Sequence, residues 1–478
     1  MMMKSLLLVL GLWLGSHALF AQEFVVEIPN QDAVDHSNPT GSFIVKNVQN
    51  NQKAIFIFYP KFYTGTLYDE NWKKLHEIKA VDLPNRFSSI VGYTIENGVY
   101  HIIFNTSNGR NYGVTTFDFK EGSTKTFKTE FKLENESFIG SMQWNNTSFL
   151  LTASTSETQL NLYEFSGNFD VPKKSVLSFD EALLFSKKHQ KSIPLFRLFS
   201  ETASTIEVGL PVGMQTATSK VKIYQDTSKN RVLTSNTIEE YTYIFDIDLE
   251  QKEAKLTRFE NPLSSTKDYY NQTNSFVLDK ELYLFSVTSK NFIFQILSRD
   301  TQKTLFFRDI DKETEIDFSN TPIIQKEVGG LNNYRELKKT KQFIRKVSQS
   351  NLGVSAYKED EKYIVTLGSS LQIKGSASPI FIAGGGFISG FISGAISGAL
   401  SAYTSYVYTK SVSVNCLFDE NFSAKEGTIP DTIFDKMREF EGPEANTQAP
   451  ALAHFEEGIF LGSHDNEVDV YYLFKFPN

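Results

Sequence analysis

The chain has 478 residues, of which 40% are hydrophobic and 22% charged, with 48 Lys and Arg against 56 Asp and Glu for a net charge of −8. That balance excludes wholesale disorder, and without a basic stripe it excludes nucleic acid as a partner. The length exceeds what one ordinary core needs, so several domains or one large repeat architecture is expected.

At the N-terminus, Lys4 precedes an apolar run over residues 5–14, and small residues lead to Ala21 and Gln22. The pattern is that of a secretory signal peptide, residues 1–21, too short to span a membrane as a helix. It places the protein outside the inner membrane: in the periplasm, on the outer membrane or beyond the cell. No Cys follows the run, which closes the lipoprotein route. The single cysteine, Cys416, allows no internal disulfide.

Aromatic residues make up 14% of the chain, 41 Phe and 21 Tyr against 3 Trp, a bias that favours strands. From Asn97 the chain reads as three strands (99–104, 109–119 and 125–131) joined by polar turns. A second copy follows at 147–151, 159–165 and 174–179, with Val99 and Phe149 in equivalent places 50 positions apart. An all-strand period of about 40–50 residues is the mark of a β-propeller blade. Apolar runs without alternation, such as 54–59, 282–285 and 470–474, call for sheets covered on both faces.

In chain order the blades fall at 42–78, 90–131, 138–179, 221–259, 275–309, 352–369 with 405–419, and 451–476. The last holds three strands, and the unassigned strand 24–28 would complete it and close the ring. Seven blades are expected in a single domain, 22–478, with six or eight as alternatives because residues 181–220 break the rhythm. That stretch carries a short helical phrase at 181–188 and an extra strand at 205–210. Residues 333–347 (NYRELKKTKQFIRKV) read as a basic helix, and 431–440 as another helix. Over residues 303–419, at this helix and at Gly353 to Tyr357, the chain resembles uncharacterised exported proteins of Gram-negative bacteria. The resemblance implies the compartment and no activity.

Residues 375–409 contain no charge; Lys374 and Lys410 bound the stretch. Within about 376–404, Gly386, Gly390, Gly394 and Gly398 recur every four residues. Such a ladder lets helices approach closely, which offers weak membrane or self-association. The competing expectation is a low-complexity loop between two blade strands, since each interior Gly costs a helix about 1 kcal/mol. On that reading the insertion is dispensable for folding.

No nucleophile elbow, zinc-protease pair or phosphate loop is present. His454 and His464 lie on or beside adjacent strands and could approach one another. Asp309, Asp311 and Glu313, with Glu315 and Asp317, alternate along the chain, a pattern that could supply oxygens to a hard cation or simply form a solvated turn. No cofactor is indicated. The expected function is an exported propeller that binds a protein or carbohydrate. The alternative is a hydrolase or lyase acting on an extracellular polymer through carboxylates converging at the channel. Convergent ionisable side chains at a channel mouth would favour the enzyme, and a plugged channel would favour binding.

Overall fold

A computed structural model of the chain describes residues 22–30, 38–60, 62–80, 87–106, 109–238, 240–263, 271–326, 334–370, 394–408, 410–442 and 447–477. Residues 1–21, the expected signal peptide, lie outside the described residues, as do Gly386 and Gly390.

Among the described residues, seven sheets of four or five strands succeed one another along the chain. Blade 1 holds Gly41–Lys46, Lys53–Phe58, Tyr63–Tyr68 and Lys74–Ala80; blade 2 runs from Phe87–Glu96 to Ser123–Lys132, and blade 3 from Glu136–Trp144 to Lys173–Leu177. Blade 4 spans Val221–Gln225 to Glu253–Glu260, and blade 5 spans Gln272–Leu278 to Thr304–Asp311. Their bounds follow the sequence reading closely, because the tight turns are written in the chain. In blade 2, Glu96 pairs with Val99 across Asn97 and Gly98, which both have positive φ (52° and 81°). Asn145 and Asn146 repeat this in blade 3 with φ of 45° and 63°. Two left-handed residues in succession match the twist of a hairpin, which is why Asn and Gly stand there.

A second repeat joins blades 1 and 6. Leu67-Tyr-Asp-Glu-Asn-Trp72 and Leu417-Phe-Asp-Glu-Asn-Phe422 form the same turn, with Trp72 and Phe422 at φ of 63° and 58°. In each, one Asp oxygen accepts two backbone N–H groups, from Asn71 and Lys73 at 2.9 Å, and from Asn421 at 3.0 Å and Ser423 at 2.9 Å. The Asp side chain thus substitutes for turn hydrogen bonds.

Ring closure is as expected. Glu23–Pro29 pairs antiparallel with Val470–Phe476, from Glu23 opposite Lys475 to Pro29 opposite Val470, and becomes the outer strand of blade 7. Asp469 fastens this latch, accepting from the Asn30 amide at 3.0 Å and meeting the His464 ring at 3.0 Å. Outer strands of blades 1 to 3 carry Lys74, Lys79, Lys125, Lys128, Lys132, Lys173 and Lys174, charges that discourage another strand from adding to the rim.

Apolar clusters sit between neighbouring blades. Phe43, Phe56, Tyr63, Phe104 and Phe117 join blades 1 and 2, and Ile139, Leu151, Tyr243 and Phe245 join blades 3 and 4. A cluster including Phe285, Phe292, Phe343 and Phe418 spans blades 4 to 6, and Ile55, Phe460 and Tyr471 connect blades 1 and 7. Polar staples cross the same seams. The Ser42 hydroxyl donates to the Ala449 carbonyl at 2.6 Å, and the wholly buried Lys222 ammonium donates to Asn274 Oδ1 and Ser275 O, both at 2.8 Å.

Two expectations need correction. The helix proposed for 333–347 begins only at Thr340, because Tyr334–Leu337 is a strand. It pairs with Ile323–Lys326, which itself pairs with Ser411–Phe418, so these two strands complete the outer edge of blade 6. Pairing to an otherwise open edge overrides the local helical pattern. The second correction concerns the glycine-rich insertion. Its described part, Gly394–Tyr408, is a helix and not a free loop, and residues 405–408, expected as strand, belong to that helix.

Candidate functional site in the axial channel

Among the described residues, five α-helices decorate the ring: α1 (Leu195–Leu198), α2 (Met214–Ala217), α3 (Thr340–Val347), α4 (Gly394–Tyr408) and α5 (Ile433–Glu441), besides a 3-10 turn at Glu181–Leu184. Helix α4 packs at once against Phe87–Glu96 of blade 2, Glu136–Trp144 of blade 3, Thr447–Phe455 of blade 7 and the extra strand Ser204–Glu207. These are edge strands of four different blades. One helix can touch all four only where they converge, so α4 lies on the propeller axis and plugs the channel.

Small residues make this possible. A Cβ on Gly398 would stand 3.1 Å from Glu207 Oε2 and 3.2 Å from Thr205 Cγ2, so the helix closes on the strand through its glycine. At the other end the backbone of Tyr406 approaches Gly213, where a Cβ would fall 2.2 Å from Tyr406 N. The cost of Gly in a helix is therefore offset by close packing. Ala399, Leu400, Ala402 and Tyr403 are buried against Leu210, Phe434, Met437, Leu452, Ile459 and Leu461, and fill the seam beside blade 7. Ser405 Oγ accepts from the Thr216 N–H at 3.0 Å. The Tyr406 hydroxyl reaches both Asp435 oxygens at 2.9 Å, while Tyr403 donates to Glu441. Burial raises the Glu441 carboxyl above its usual range.

Beside the plug lies a small polar group. Ser204–Glu207 pairs parallel with Val221–Gln225, which sets Glu207 level with Gln225. Glu207 is surrounded by protein yet keeps part of its surface accessible, as a residue lining a lumen does. Burial pushes its carboxyl up to about 7; Arg231 opposes that shift and Asp226 adds to it. Arg231 is wholly buried and held by Asp226 Oδ1 at 3.3 Å, Asn230 O at 3.0 Å and the Gln143 carbonyl; burial lowers it to about 10. The Gln143 amide donates to Tyr93 O at 3.0 Å, and burial, with Glu207 adding, lifts the Tyr93 phenol above its usual range. Gly209 brings the chain beside His454, whose ring burial keeps neutral to lower pH. Chemically, Glu207 can exchange a proton near neutrality, but α4 occupies the space a substrate would need.

The residues expected from sequence lie elsewhere. Asp309 and Asp311 end the outer strand of blade 5, far from the axis in the fold. Asp309 accepts from Asn291 Nδ2 at 2.7 Å. Asp311 caps a turn through the N–H groups of Glu313 at 2.7 Å and Thr314 at 3.1 Å, which hold its pKa low. Asp311 is used by the turn and Asp309 by the neighbouring strand, and among the described residues no group of three His, Cys, Asp or Glu is placed to hold a metal ion. His454 pairs with Ile459 and His464 with Gln448, so the strand register keeps the two rings apart. Cys416 is buried, and its thiol is raised above the usual range, which makes it inert. Gly398 faces the protein's own strand. Among the described residues no helix is long and apolar enough to cross a membrane. An open cleft lined by Glu361, Lys362, Asp419, Glu420, Lys425 and Glu426 lies at one end of blade 6.

No family model matches the chain, and no curated protein matches it. Similar solved structures include the WD40 domain of SCAP from fission yeast, at 10% identity over 96% of this chain and 98% of that one, with a TM-score of 0.29. Cobalt-substituted ACO from Synechocystis is 9% identical over 59% of this chain, with a TM-score of 0.29, and the match spans 64% of that chain, less than two thirds. A subtype N10 neuraminidase-like protein from a little yellow-shouldered bat isolate is 9% identical over 73% of this chain and 95% of that one, with a TM-score of 0.26. Likenesses this remote say nothing of activity. The seven sheets closed by an N-terminal latch define the class: this is an all-β propeller with a helix in its channel.

Proposed function

We propose that the protein is an exported binding propeller whose partner, a protein or a carbohydrate, docks on the loops of its faces. Residues 1–21 are removed on export, leaving Gln22 first, and the product resides in the periplasm, on the outer membrane or outside the cell. One observation supports binding over turnover: the axis, where propeller carboxylates would converge on a substrate, is filled by α4. Fold alone never fixes function, so the reading rests on that occupancy.

Purified protein offered a panel of bacterial and host glycans and envelope proteins is expected to bind one class saturably and release no product. Release of new reducing ends or unsaturated sugars from an extracellular polymer would overturn the reading in favour of a hydrolase or lyase.

A further inference from the structure

Helix α4 reaches the axis as an insertion between Lys362–Ser370 and Ser411–Phe418, which remain paired neighbours in blade 6. Among the described residues, no sheet hydrogen bond ties the helix to the ring. It is held by side-chain packing, by the Ser405–Thr216 bond and by the tyrosine bonds to α5. Its seat carries an ionisable group without a hydrogen bond among the described residues, Glu207, pressed against Gly398.

Among the described residues, the groups facing Glu207 are few. Arg231 approaches from Asn230–Ser235 and Asp226 from the turn before it, Tyr93 from Phe87–Glu96, and His454 stands beside Gly209. The described side chains of helix α4 include the ionisable phenols of Tyr403 and Tyr406, and α2 contributes no ionisable side chain. Arg231 spends Nη1 on Asp226, Ser228 and Asn230 and Nη2 on Gln143, while its buried Nε has no hydrogen-bond partner among the described residues. Among the described residues no hydrogen bond reaches the Glu207 carboxyl, so an ionised Glu207 beside the plug must draw on water at its partly accessible surface.

We propose that protonation of Glu207 controls how firmly α4 sits in the channel. The neutral acid lets Gly398 close against it, whereas the anion draws water into the lumen and loosens the helix. The direction follows from linkage. With α4 lifted away water reaches the carboxyl and its pKa falls back toward the ordinary 4.5, while in the seat burial raises it to about 7. The seated state thus holds the extra proton between these values, so seating weakens as pH rises from 4.5 to 7 and stays level above. The full window corresponds to at most about 2.5 orders of magnitude in the opening equilibrium.

Hydrogen exchange of the amides at 398–406, corrected for intrinsic rates, tests this at pH 5 and pH 8. The strand Glu281–Val287 of blade 5 serves as an internal reference. Opening of α4 relative to the reference is expected to rise about 10- to 100-fold at the higher pH in the native protein, and to stay unchanged in Glu207→Gln. Equal protection at both pH values, an unaltered rise in Glu207→Gln, or an equal rise in the reference strand would each overturn the proposal. If Glu207→Gln does not fold, the carboxyl carbon of Glu207 in the native protein decides. A titration midpoint near 7 sustains the coupling, and one near 4.5 ends it.

Discussion

Gly398→Leu separates a plug from a free helix by the sign of its effect. In an exposed helix the change from Gly to Leu stabilises by a little under about 1 kcal/mol, because Leu loses less backbone freedom. In the channel the first added carbon already meets Glu207 Oε2 at 3.1 Å and Thr205 Cγ2 at 3.2 Å, and three further carbons must follow. Thr205 is only 6% exposed and cannot move into solvent, although the Glu207 head can shift. Overpacking of this kind costs about 1–3 kcal/mol or more, which exceeds the propensity gain. The net effect is a loss of about 1–2 kcal/mol. With an unfolding entropy of roughly 1 kcal/mol/K for a chain of this length, the melting temperature should fall by about 1–2 °C. Scanning fluorimetry resolves such a shift, and urea unfolding gives the free energy independently. A variant that melts at or above the native temperature would refute the packing of α4 against Ser204–Glu207.

Leu400→Ala, emptying a site 4% exposed among Leu210, Phe434 and Leu461, should destabilise by about 2–5 kcal/mol in urea unfolding. Replacing residues 394–408 by a short turn should likewise lower stability, contrary to the sequence expectation that the insertion is dispensable. Deleting Glu23–Pro29 bares the edge of Val470–Phe476 and should lower the melting temperature and promote association, both checked by calorimetry and sedimentation. Lys222→Met strands the acceptors Ser219 O, Asn274 Oδ1 and Ser275 O and should cost about 2–4 kcal/mol. Burial lowers Lys222 from 10.5 to about 7, so the unfolded chain binds more protons between those values and this residue makes stability climb as pH rises through them. Melting curves from pH 7 to 10 should show that climb reduced in Lys222→Met.

The blades were legible because propeller hairpins depend on local chemistry. Asn97-Gly98 and Asn145-Asn146 spell two-residue turns, and the apolar runs between them admit only sheets covered on both sides. The latch was legible from a missing strand. The Leu-aromatic-Asp-Glu-Asn-aromatic turn is written equally plainly at 67–72 and 417–422, although its two copies lie five blades apart. Tyr334–Leu337 was misread because an i, i+3 spacing of apolar residues suits a helix until an open sheet edge competes for it. The axial site left less trace. Glu207 is one acid among 56 Asp and Glu, and its environment arises only when Ser204–Glu207 pairs parallel to Val221–Gln225 and α4 arrives from far along the chain. The glycine ladder signalled close approach, and its member Gly398 meets Thr205 and Glu207 on a strand of the same chain.

The central claim is that α4 fills the axis, and thiol accessibility tests it most directly. Cys416 is wholly buried and provides a silent background. Ala402 is 1% exposed on α4, and Ala402→Cys adds one sulfur there. Under native conditions the account predicts that the variant stays unlabelled by a maleimide for hours and takes up two labels in denaturant. Labelling of one thiol within seconds in the native protein, with melting unchanged, would place α4 outside the channel and contradict the account.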